Sequence, residues 1–248
     1  MSGLESDSSA LTSQPAPTTS RGVHSALKLG LFGGSFNPIH NGHLALAGHV
    51  LDKLQLDRVL FMPTGDPPHK RDGSLAPATH RYEMVRLAIA DRPAFGLSDM
   101  EIRRIGKSYT IDTVQTLQHQ FGSSTDLYLL IGLDAFLDLP NWKDPRELLR
   151  RCRFVVVPRP GQSFQSLATM PLLPTLPPQA LVQLDTGESL RLDIATPSCR
   201  GIVCLPIPPC STSASDIRQR IRHGTTLANL LPPLVESYIL QHRLYQEE

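Results

Sequence analysis

The chain has 248 residues and a formal charge of +1, from 24 Lys and Arg against 23 Asp and Glu. That length can bury a sizeable core within one large α/β domain, and the near-zero charge argues against an extended electrostatic footprint for nucleic acid. No run approaches the ~18 uninterrupted apolar residues of a membrane-spanning helix, and Glu5 and Asp7 stand where a secretory leader would be basic, so the expectation is a cytoplasmic protein.

Residues 1–25 are rich in Ser, Thr and Pro and poor in large apolar side chains. They cannot bury enough surface to offset the entropy of ordering, and read as a disordered tail ahead of one domain at 26–246. Beyond the tail, short apolar or β-branched runs at 27–32, 59–62, 95–98, 127–131, 154–157 and 202–205 alternate with helical periodicity. This alternation predicts an α/β fold, a parallel sheet wrapped by helices. Leu44, Ala47, Leu51 and Leu54 recur at helical spacing and mark the first helix; 78–90 follows as the second; Ile111, Val114, Leu117 and Phe121 mark a third over 110–121. Asp144, Pro145 and Glu147 occupy N-cap, N1 and N3 positions in a capping-box-like start for a fourth. At about 160–200, Pro171, Pro174, Pro177 and Pro178 interrupt any long element, giving a Pro-rich insertion between strands. Helices at 215–223, closed by Gly224, and at 233–242 complete the chain. Cys152, Cys199, Cys204 and Cys210 form no C-x-x-C pair and read as reduced structural thiols.

The most informative stretch is 31–44, L-F-G-G-S-F-N-P-I-H-N-G-H-L. Gly33 and Gly34 lack a Cβ, so the chain can turn sharply after an apolar strand and expose backbone N–H groups to an anion. His40 and His43, spaced i,i+3 across Gly42, share one face of the first helical turn. A phosphate there would meet two imidazole donors and the positive end of a helix dipole. Loops at 33–43, 64–70, 98–110 and 132–142 all follow predicted strands, and in an open parallel sheet ligands sit beyond those strand ends. No convincing Ser-His-Asp or Cys-His arrangement accompanies them. Donors around a glycine turn suit chemistry achieved by positioning and charge neutralisation, as in phosphoryl-type transfer. Arg218, placed in the first turn of the 215–223 helix, would oppose the dipole and so calls for an anion, either Asp216 or a phosphate shared with Ser213 and Ser215. Trp142, the only tryptophan, lies in the polar loop L-P-N-W-K-D-P and suggests a stacking platform.

The segment G-G-S-F-N-P-I-H-N-G-H resembles the H-x-G-H signature of class I nucleotidyltransferases. P-P-H-K at 67–70, S-Y-T at 108–110, I-G-L-D at 131–134 followed by Trp142, and S-A-S-D-I-R at 213–218 resemble the bacterial nicotinate-nucleotide adenylyltransferase family, over about 27–245. Many members carry Asp at the position of Asn37 and S-S-T-x-I-R where this chain has Ser213, Ala214 and Ser215. The resemblance implies a Rossmann-like open parallel sheet in a single nucleotidyltransferase domain. It implies transfer of AMP from ATP to nicotinate mononucleotide, with Mg²⁺ arriving on ATP and no metal ligand from the protein. By the same resemblance His40, His43, Lys70 and Arg218 act on the triphosphate. Gly33, Gly34, Ser35, Phe36, Gly42, Gly132, Asp134, Ser213 and Ser215 bind ATP, Asp134 through the ribose. Asn37, His69, Tyr109, Thr110 and Trp142 take the mononucleotide, its ring on Trp142 and its carboxylate at the helix start by Thr110. Neither nucleic acid nor membrane is expected as a partner. The competing readings are another small-molecule nucleotidyltransferase, such as one acting on phosphopantetheine; an aminoacyl-tRNA synthetase fragment, whose lysine-rich second signature is missing; and a nucleotide sensor without turnover.

Overall fold

The computed structural model describes residues 26–65, 75–122, 124–207 and 212–246. The expectations for the tail at 1–25, for His69 and Lys70 and for Cys210 lie outside the described residues. Strands β1 (Lys28–Gly34), β2 (Arg58–Pro63), β3 (Phe95–Leu97), β4 (Asp126–Gly132), β5 (Arg153–Val157), β6 (Leu192–Thr196) and β7 (Cys199–Cys204) form one seven-stranded sheet in the order β3-β2-β1-β4-β5-β7-β6. All neighbours are parallel except β6 and β7. Leu31 of β1 is in register with Leu60 of β2 on one side and Leu129 of β4 on the other. The chain winds outward from β1 to β3, then returns to start again at β4, so the switch point of the sheet lies between β1 and β4.

Helices α1 (Asn41–Leu54), α2 (Ala78–Ala88), α3 (Met100–Arg103), α4 (Thr110–Phe121), α5 (Leu133–Leu137), α6 (Pro145–Arg151), α7 (Pro178–Thr186), α8 (Ala214–Arg222) and α9 (Pro233–Gln241) cover both faces. Side chains alternate across the sheet as a strand period of two requires. Leu29, Leu31, Leu127, Leu129, Phe154 and Val156 meet Val114, Leu117, Phe136 and Leu148 on one face. Val59, Phe61, Tyr128, Leu130 and Val155 meet Leu44, Val50, Met84, Ile217 and Ile239 on the other.

Four local expectations change. The turn after β1 does not depend on its glycines for unusual backbone: Gly33 and Gly34 are strand residues, and the left-handed position falls on Phe36, at φ 43°. The capping box at α6 does not form, because Asp144 is itself left-handed, at φ 49°, and makes no side-chain cap bond; Glu147 binds Arg151 at 2.8 Å instead. Helix α8 begins at Ala214 with Ser213 as its cap, which puts Arg218 in the second turn, where the dipole penalty fades. Asp216 pairs with Arg220 at 2.9 Å and leaves Arg218 to another role. Finally, the Pro-rich segment carries structure of its own. Pro177 and Pro178 start α7 rather than break it, at positions where no N–H is needed, and Gly187 closes it with a left-handed cap. Phe164, Leu167, Leu181 and Leu184 of this segment complete the core on the α4 side.

Candidate active site

Beyond the carboxyl ends of the central strands opens a cleft of about 1350 Å³, larger than a usual single-ligand pocket of roughly 300–1,000 Å³. Its floor at the switch point is the end of β1, where a Cβ on Gly33 would meet no atom within 4 Å. Open space therefore reaches the backbone itself.

His40 caps α1 with extended backbone, φ −147° and ψ 170°, and His43 is the third helical residue. The His40 backbone N–H donates to His43 Nδ1 at 3.3 Å, and the two rings lie 3.8 Å apart at 31°. With Nδ1 as acceptor, the proton of a neutral His43 sits on Nε2 and remains for a ligand. Phe32 and Phe36 wall the His43 ring at 5.9 and 5.2 Å between centroids. Burial, reinforced by the charge of Arg159, lowers His40 to about 4; burial first, then His40 and Arg159, lower His43 well below the ordinary imidazole value. Both are neutral at pH 7, each offering one hydrogen bond. His40 Nδ1 is buried without a hydrogen-bond partner among the described residues.

The turn leading into α1 is held from three distant places. Arg81 of α2, 1% exposed, donates to Ser35 O at 2.8 Å, Thr64 O at 2.7 Å and Ala76 O at 2.9 Å. Arg218 of α8 donates to Asn37 O at 2.8 Å and approaches Ser215 Oγ at 3.5 Å. Asn37, 3% exposed, accepts at Oδ1 from the Ala76 N–H at 3.0 Å and from Tyr245 Oη at 2.9 Å. Asn37, expected among the contacts of the mononucleotide, thus has its side-chain oxygen engaged by protein donors.

On the opposite wall Tyr109 caps α4 and Thr110 is its first residue. Lys143 lies over the Tyr109 ring at 4.9 Å and is anchored to Asp112 at 2.9 Å. Trp142 packs half-buried against the core while lining the cleft. Glu101 lines the same wall, buried, and accepts from Thr113 Oγ1 at 2.8 Å; burial pushes its carboxyl above the usual range. Arg159, at the end of β5, also lines the cleft and pairs with Asp134 at 3.2 Å.

Of the expected site residues, Gly33, Gly34, Ser35, Phe36, Asn37, His40, Gly42, His43, Tyr109, Thr110, Gly132, Trp142, Ser213, Ser215 and Arg218 all line this one cleft. Asp134 is not on its lining but pairs with Arg159, which is. Arg159, Lys143, Glu101 and Arg81 were not anticipated. Arg159 could have been, since it follows the apolar run at the end of β5 just as Gly132 follows that of β4. Arg81 has no such signal, being one more arginine in a helix. Among the described residues no group of three or more His, Cys, Asp or Glu could hold a metal ion, and no helix is long and apolar enough to cross a membrane.

The sequence profile of the Cytidylyltransferase-like family matches residues 31–220. A protein of Dehalococcoides mccartyi strain CBDB1 named "Probable nicotinate-nucleotide adenylyltransferase" is 39% identical over 221 residues, covering 89% of this chain and 98% of its own length. One of the same name from Synechococcus sp. strain JA-3-3Ab is 40% identical over 218 residues, covering 88% and 94%. Among solved structures, the Plasmodium falciparum nicotinic acid mononucleotide adenylyltransferase complexed with NaAD shares the fold, with a TM-score of 0.61 at 18% identity over 89% of this chain and 98% of that one. Glycine-floored cleft, paired histidines and these likenesses converge: the chain belongs to the cytidylyltransferase-like family, in its nicotinate-nucleotide adenylyltransferase branch.

Proposed function

We propose that this protein transfers the adenylyl group of MgATP to nicotinate mononucleotide, giving nicotinate adenine dinucleotide and pyrophosphate. A 5′-phosphate oxygen of the mononucleotide attacks the α-phosphorus of ATP, the bond to the β-phosphate oxygen breaks, and pyrophosphate leaves with its electron pair. The observation that carries this reading is the closely paired, neutral His40 and His43 on the same cleft lining as the bare Gly33 backbone. Such a pair, at the start of a helix, can hold an α-phosphate and donate to it as charge builds in the transition state. No protein nucleophile is required, and positioning two substrates in line accounts for much of the acceleration. Arg159 and Arg218 share the lining with the pair, and the acids on it among the described residues, Glu101 and Asp185, belong to no cluster of three or more metal-binding groups. This suits a Mg²⁺ ion carried in on the phosphates of the substrate, mostly hydrated, rather than one caged by carboxylates.

For the second substrate, the start of α4 offers backbone N–H groups at Thr110 beside Tyr109, with the Lys143 ammonium adding charge, all suited to the nicotinate carboxylate. On this reading Trp142, which lines the cleft, stacks on the pyridine ring. Nicotinamide mononucleotide lacks the anion and would leave these donors poorly matched. The cytoplasm is the compartment proposed for this reaction.

The test is pyrophosphate release from purified protein and MgATP with nicotinate mononucleotide, nicotinamide mononucleotide or phosphopantetheine in parallel arms. Release is expected with the nicotinate compound and lost in His43→Ala. Comparable turnover of both mononucleotides would overturn the acid preference; release only with phosphopantetheine would overturn the substrate; none in any arm would make the protein a binder.

A further inference from the structure

The turn that delivers the histidines is tied to the last residues of the described chain. After α9 the backbone doubles back: Leu244 N–H donates to Ile239 O at 3.0 Å, and both Arg243 and Tyr245 are left-handed, at φ 50° and 63°. Non-glycine residues in that region cost energy and persist only where the surroundings impose them. Here the imposed course brings Tyr245 Oη within 2.9 Å of Asn37 Oδ1, a contact 208 residues apart in sequence. Arg81 and Arg218 grip backbone carbonyls of the same turn, but the Tyr245 hydroxyl grips a side chain, alongside the Ala76 N–H. The groups facing the phenol are Arg81 and Arg218; burial nonetheless pushes it well above the ordinary phenol range, so it stays a donor at any working pH.

Asn37 stands three residues before His40, whose extended backbone sets the direction of α1 and the stacking of His40 on His43. We propose that Tyr245 is a positioning residue for adenylyl transfer: its hydroxyl fixes Asn37 and, through the turn, the His40–His43 pair, so that the C-terminal segment is part of the catalytic unit. Without that bond the buried Asn37 oxygen keeps the Ala76 N–H but loses the phenol, and the turn gains freedom where the chemistry tolerates little. Displacements near 1 Å at a reacting centre cost up to about 100-fold in rate. The wall that would receive the mononucleotide, from Tyr109 to Trp142, has no part in this linkage.

The proposal rests on the adenylyltransferase reading, so the wild-type protein is assayed first; if it does not turn over, that reading fails and the present one is overturned with it. Given turnover, Tyr245→Phe keeps the ring and removes the hydroxyl. It is expected to lower kcat about 10- to 100-fold, to leave KM for nicotinate mononucleotide within about twofold, and to add almost nothing when Asn37 is already Ala. A wild-type kcat in Tyr245→Phe, or a loss that multiplies fully with that of Asn37→Ala, overturns the proposal. A purely structural role predicts the opposite split, a lower Tm with kcat per folded molecule unchanged. If Tyr245→Phe does not fold, Asn37→Ala, which removes the acceptor of the phenol, gives the same test: kcat should fall about 10- to 100-fold, and an Asn37→Ala variant with wild-type kcat overturns the inference.

Discussion

A neutral imidazole can donate to a phosphate oxygen without first carrying a charge into a dry cleft, and burial keeps both His40 and His43 in that state. His43, with Nδ1 occupied by the His40 backbone, has its Nε2 proton available, so His43→Ala should reduce kcat by about 100- to 1000-fold while altering KM for ATP little. Steady-state kinetics in both substrates would show it, and a change confined to KM would contradict a transition-state role. The same burial has a cost in acid. Because the folded His40 titrates near 4 and the unfolded imidazole near 6.5, the unfolded chain binds more protons between those values. Stability is therefore complete above pH 6.5 and declines as pH falls toward 4, by up to about 3 kcal/mol from this residue. Urea melts from pH 4 to 7 should show a shallower decline for His40→Gln; parallel curves would refute it. Glu101 runs the other way. Its carboxyl is raised by burial, so the native state holds the extra proton and stability falls as pH rises above the normal carboxyl value of 4.5. Glu101→Gln, which can still accept from Thr113, should remove that slope and melt higher than wild type at pH 7; equal Tm values at pH 7 would exclude it.

At the level of elements, the end of β1 separates folding from binding. A Cβ on Gly33 meets nothing within 4 Å, and the residue lines the cleft. Gly33→Ala should leave Tm within about 1–2 °C, since surface-like changes rarely exceed ~0.5 kcal/mol, yet raise KM for ATP by occupying space the phosphates need. A fallen Tm with unaltered KM would mean the position serves packing instead. The elements bearing the site were legible because each has a strong local signature. Short continuous apolar or β-branched runs marked the central strands, and i,i+3,i+4 spacing marked α1 and α4, whose observed span is Thr110–Phe121. Weak signatures misled. In β6 the alternation spans only five residues, with Ile194 the one fully buried side chain between the exposed Asp193 and Ala195, and so short a strand pairing antiparallel at an edge reads as coil. Prolines at 177 and 178 look like breakers unless they are placed at the first turn of α7. Asp144 has the right residue type for a cap, but its left-handed backbone turns the carboxylate away from that task.

Across the whole molecule, the cleft residues legible in sequence were those that follow strands, because a parallel sheet gathers its strand ends on one edge whatever lies between them. What joins the halves was not legible. Arg218 reaches Asn37 across 181 residues, and Asn41 Nδ2 donates to Asn229 O across 188, contacts that no local pattern announces. Through them α8 and the loop that follows it close over the start of α1, and residues from 31–46 and from 206–218 line one cleft. Ligand binding should therefore act on both together. MgATP at a hundred times its Kd stabilises a one-site protein by about 2.7 kcal/mol, which for a domain of this size corresponds to roughly 5–10 °C in Tm. Amide hydrogen exchange should slow in the same titration at 40–44, where α1 begins, and at 212–218, where α8 begins, although the two are far apart in sequence. A Tm rise with protection at 40–44 alone would show that the triphosphate is held by the β1–α1 turn without α8, and would remove Arg218 and Ser215 from the site.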